Sequence, residues 1–102
     1  MPNPDSLRQE ARRLHQQAES IERHAQDVEH RLRTQEQTIR NLEQGRQDWQ
    51  NRLHQLETAM ITAADANQRQ ALNSQIQDIN RKLMDQDKQI QNARNEHDKL
   101  LH

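Results

Sequence analysis

The sequence predicts an all-α protein. The expected form is a long antiparallel coiled-coil helical hairpin: a long first helix, a turn near residues 61–68, and a shorter second helix, assembling into a helical bundle. Three observations predict it. Only 29% of the 102 residues are hydrophobic and 1% aromatic, too little apolar volume for a globular core of ordinary thickness. The one Gly and two Pro leave the chain almost free of helix breakers, and both prolines fall within the first four residues. Apolar residues recur at alternating spacings of four and three, the period of a left-handed coiled coil.

The first helix is expected over about 4–61. Asn3 or Asp5 is a candidate cap, with Pro4 in the first turn, where its missing N–H costs nothing. The a positions are Ala11, Ala18, Ala25, Leu32, Ile39, Arg46, Leu53 and Met60. The d positions are Leu7, Leu14, Ile21, Val28, Gln35, Leu42, Trp49 and Leu56. The spacing holds from Leu7 to Met60 without a slip, and only Gln35 and Arg46 are polar.

A second series follows: Leu72, Ile76, Ile79, Leu83, Gln86, Ile90, Ala93, His97 and Leu100. Its spacing is as strict, but its phase is shifted. The first frame, extended, would put Ala63, Asn67, Gln70 and Ser74 at core positions, two residues out of step. One continuous seam cannot absorb that offset, so the chain is expected to reverse between Ile61 and Gln68. The second helix is then expected over about 67–101, with Asp65 as N-cap and Gln68 three residues on in the manner of a capping box. The whole chain, 1–102, is read as a single coiled-coil domain.

Folding the second helix back on the first, with paired positions summing to about 132, sets Leu56 against Ile76, Leu53 against Ile79, Trp49 against Leu83, Leu42 against Ile90 and Leu32 against Leu100. It also matches the polar seam residues, Arg46 with Gln86 and Gln35 with His97. A buried polar group left unpaired costs about 1–3 kcal/mol, which favours this register over its neighbours. The second helix runs out near Leu32. The stripe Leu7, Ala11, Leu14, Ala18, Ile21, Ala25 and Val28 is left without a partner and is therefore a candidate oligomer seam. Its flanks carry Glu22, Glu29 and Glu36 at e, and His24 and Arg31 at g. Parallel self-pairing would join His24 to Glu29, Arg31 to Glu36 and, further on, Arg52 to Glu57. An antiparallel pair would set Glu beside Glu. Each exposed pair contributes only about 0.2–0.5 kcal/mol.

The composition also bears on what the chain does. Fifteen basic and sixteen acidic residues, intermixed, give a net charge of -1, so no basic face emerges for nucleic acid or a membrane surface. No apolar run approaches the length of a membrane span. The N-terminus does not read as a signal peptide, so a cytoplasmic protein is expected, although leaderless secretion would leave no mark. There is no cysteine. Of the six histidines, only His15 has a glutamate, Glu19, at the i,i+4 spacing of a helical metal pair, a coincidence expected among so many glutamates. The others read as surface residues except His97, a register-setting contact for Gln35 or a pH-sensitive group in an interface. Trp49 at d is most simply a large core knob; the alternative is an anchor in a partner's pocket. Gly45, beside Arg46, marks a bend or a close approach by another helix. Nothing assembles a nucleophile, a phosphate-binding loop or a pocket, so no enzyme activity and no cofactor are expected.

The function expected from these features is that of a non-enzymatic oligomerisation or adaptor protein that binds helices, through a homodimer or a higher assembly. The alternative is a small helical protein of a bacterial secretion system, either exported or a partner of an exported protein. In length, central Trp49 and the N-terminal pattern Leu7-x3-Ala11-x2-Leu14-x3-Ala18, the chain resembles the Trp-Xaa-Gly helical hairpins of type VII secretion. It departs from them in that Gly45 precedes Trp49 and both fall within the first helix.

Overall fold

A computed structural model describes residues 3–102. Two helices account for nearly all of them: α1, Pro4–Thr62, and α2, Ala66–Leu101. The fold is all-α, a helical hairpin with a long first helix and a shorter second. Its contacts divide into two compact units, 1–34 and 35–102.

Unit 35–102 contains the turn and the packed part of the hairpin. The reversal is confined to Ala63, Ala64 and Asp65, inside the expected span. No glycine is needed at the turn because none of the described residues takes a positive φ. Asp65, in extended conformation, caps α2 by accepting from the Asn67 backbone N–H at 3.0 Å. The reach back across the turn comes from Arg69 rather than Gln68: its Nε donates to the Ala63 carbonyl at 2.9 Å. That bond satisfies a carbonyl left over by the end of α1. Ala63 itself is buried, so the small side chain lets the turn close against the helix ends.

The core of this unit is a single stripe. Leu56, Ile79 and Leu83 are buried, with Trp49, Leu53, Leu72 and Ile76 packed against them, and Ile90 is buried further along. From Gln35 on, every residue of the two heptad series is at least partly buried, and nearly every other position is exposed. No large side chain is completely enclosed among the described residues. Two helices can cover only one face of each other, so the layer is one side chain thick.

Unit 1–34 consists of the first part of α1. Asn3 caps the helix: its Oδ1 accepts from the Asp5 N–H at 3.0 Å, and its carbonyl takes the Leu7 N–H. Pro4 occupies the first helical position, where its fixed φ suits the helix.

Candidate helix-binding interface

The hairpin seam is built by complementary shape and by a few polar contacts that fix its register. Arg46 reaches past the seam and donates from Nε to Asp87 of α2. Glu43 pairs with Arg94, and His97 Nε2 lies 3.8 Å from Glu36 Oε1. The Arg46–Asp87 and Glu36–His97 pairs lie within one position of the constant sum of 132 that the sequence sets.

The polar seam residues do not pair as the sequence suggested. Gln86 does not bond Arg46; its Nε2 donates to the backbone carbonyl of Leu42 at 2.9 Å. That geometry depends on Gly45. A Cβ there would stand 2.7 Å from Gln86 Nε2, so the glycine admits the amide to a helix carbonyl that still has a free lone pair. Of the two readings of Gly45, close approach is the one observed. The Arg46 side chain, too long to share that space, turns out to the carboxylate.

The Gln35–His97 layer behaves similarly. Gln35 Oε1 and His97 Nδ1 are both buried without a hydrogen-bond partner. No hydrogen bond therefore joins these two atoms, and the imidazole instead has the Glu36 carboxylate 3.8 Å from its Nε2. Trp49 is half-buried against the Leu56–Ile79–Leu83 cluster, and Lys82 Nζ sits 4.1 Å from its ring centroid. The indole thus combines apolar packing with a cation over its ring.

The stripe from Leu7 to Ala25 is different. Leu7, Leu14 and Ile21 are 52%, 55% and 70% exposed, and Ala11, Ala18 and Ala25 are exposed with them; Val28 is partly buried. Other exposed apolar residues, Ile61, Met84 and Leu101, stand singly. Around the stripe, charges are paired within the helix itself: Arg8 with Asp5, Arg13 with Glu10, Arg23 with Glu19, Arg31 with Asp27.

His15, the histidine with a glutamate at metal-like spacing, makes a 3.0 Å contact with Glu19 on an exposed face. No cluster of three or more His, Cys, Asp or Glu able to hold a metal occurs among the described residues. The surface depressions are shallow; one on α1 is lined by His15, Ala18, Glu19, Glu22, Arg23 and Gln26. Among the described residues, no helix is long and apolar enough to cross a membrane.

Sequence could not have shown the Gly45–Gln86–Leu42 contact, because it depends on a side-chain rotamer and a backbone carbonyl. The apolar stripe, by contrast, follows from period alone. Comparison of the chain with protein-family models, with curated proteins and with solved structures finds no significant match.

Proposed function

We propose that this chain is a non-enzymatic, coiled-coil oligomerisation protein, a scaffold or adaptor that works by binding helices and that binds itself first. The observation that carries the reading is the exposed stripe Leu7, Ala11, Leu14, Ala18, Ile21 and Ala25. A polar helix with no packed face is marginal in water, and most helical stability comes from burying an amphipathic stripe. Contiguous exposed apolar surface of this kind marks an interaction site. The neutral balance of charges, 15 basic to 16 acidic, argues for protein rather than nucleic acid or membrane as the partner. Assembly of two hairpins into a bundle, and a cytoplasmic place of action, belong to the same proposal.

The reading is tested by light scattering after size exclusion on the full chain and on a chain lacking residues 1–27. The full chain is expected at twice 12.2 kDa or a higher multiple, and the shortened one as a monomer. A full chain that stays monomeric at micromolar concentration, fully helical and with a cooperative melt, overturns it. A full chain that folds only when co-expressed with a different helical protein would favour the secretion-partner alternative.

A further inference from the structure

The arrangement of the self-association can be read from the stripe itself, granted the self-association just proposed. Large and small residues alternate along it: Leu7, Leu14 and Ile21 at d, Ala11, Ala18 and Ala25 at a. In a parallel pair, like meets like. Three Ala–Ala layers would then alternate with Leu–Leu and Ile–Ile layers. Helices spaced for the leucines leave a void at each alanine layer, and helices spaced for the alanines overfill each leucine layer. Close packing tolerates neither.

In an antiparallel pair, a meets d. With paired seam positions summing to 32, Leu7 faces Ala25, Ala11 faces Ile21 and Leu14 faces Ala18, and the two-fold axis repeats the three layers. Each layer then holds one large and one small side chain, so the volume is constant and the helix axes keep one close spacing throughout. We propose that two copies of this chain associate antiparallel through residues 7–25 in this register.

The charges agree with it. Antiparallel helices set e beside e and g beside g. Arg8 falls next to Glu22 of the second copy, and Glu10 next to His24, each pair occurring twice. Gln17 faces its own copy, as does His15, whose imidazole is held by Glu19 of its own helix at 3.0 Å. The Glu–Glu clash that counts against antiparallel pairing belongs to a register two heptads away, with seam positions summing to 46, in which Glu22 faces its own copy. The structure also weakens the parallel alternative. Two of its three charge pairs, Arg31 with Glu36 and Arg52 with Glu57, extend into the part of α1 whose seam, from Gln35 on, is already packed within the hairpin. The antiparallel overlap needs none of that seam: α1 has 59 residues and α2 has 36, and residues 7–25 lie within the excess.

The chain has no cysteine, so Leu7→Cys and Ala25→Cys each supply its sole thiol. In a glutathione redox buffer, the two variants mixed are expected to form a disulfide-linked dimer, and either variant alone to remain unlinked. A dimer that cross-links through Leu7→Cys alone overturns the antiparallel arrangement while leaving self-association intact. No cross-link in any combination, with a dimeric mass, overturns the register. A monomeric mass for the unaltered chain overturns the self-association itself. An exposed-surface pair gives an independent check without touching the seam: Arg8→Glu is expected to weaken dimerisation a few-fold, and Arg8→Glu with Glu22→Arg to restore it. In a parallel pair these residues never meet, so a failure of the second change to rescue the first also overturns the arrangement.

Discussion

Gly45 carries two opposed effects whose balance can be measured. In the middle of a helix a glycine is destabilising by about 0.5–1 kcal/mol relative to alanine. Here it makes room for the Gln86 amide, whose bond to the Leu42 carbonyl contributes about 0.5–1.5 kcal/mol. Gly45→Ala alone is therefore expected to change stability by less than about 1 kcal/mol, gain and loss offsetting each other. In a Gln86→Ala background the same change should stabilise by close to the full helix-propensity gain, because nothing is displaced. Urea unfolding of the four members of the cycle checks this. Trp49 gives a larger effect. It packs on the central cluster and is capped by Lys82, so Trp49→Ala should cost about 3 kcal/mol, the lower end for a large core aromatic because the ring is only half-buried. Lys82→Ala should cost about 0.5–1 kcal/mol. As the chain's only Trp, the ring reports both the unfolding and the loss of the cation by its fluorescence.

At the scale of the elements, the turn is short and held by few groups. Asp65 caps α2 and Arg69 closes over Ala63, with no glycine and no positive φ. Asp65→Ala should cost about 1 kcal/mol, as the loss of an N-cap usually does, seen as a lower melting temperature with unchanged helicity. Both helices, their register and the position of the reversal were legible because each rests on hydrophobic period. Two strict series out of phase by two residues leave the chain no way to continue straight. Polar partners in the seam were not legible. Which partners Arg46, Gln86 and His97 take depends on side-chain length and local room, which the heptad pattern does not carry. Arg46 is long enough to reach Asp87, and Gln86 short enough to fold onto Leu42. The capping box failed for a similar reason: Arg69, one residue beyond Gln68, has the longer reach and a free carbonyl to bond. The exposed stripe was legible as a stripe. Its arrangement with a partner becomes legible only when the seam beyond Gln35 is known to be occupied.

For the whole molecule, the account rests on the claim that a second copy covers residues 7–25. The packed hairpin from Gln35 on has a core one layer deep, with five hydrophobic residues buried, and a domain this small gains much from association. Leu14→Glu with Ile21→Glu changes residues already 55% and 70% exposed, so the pair should leave the hairpin folded. It should also abolish the dimer at micromolar concentration, which sedimentation equilibrium measures. The most direct test is amide hydrogen exchange along α1 in the full chain at several concentrations. A helical segment with no packed face opens with a free energy near zero, whereas one in an interface is protected to the extent that the interface is stable. The account predicts that the amides of residues 7–25 are protected and that their protection rises with protein concentration, while that of residues 35–101 changes less. Amides of residues 7–25 that exchange freely at every concentration, beside a protected hairpin, would contradict it.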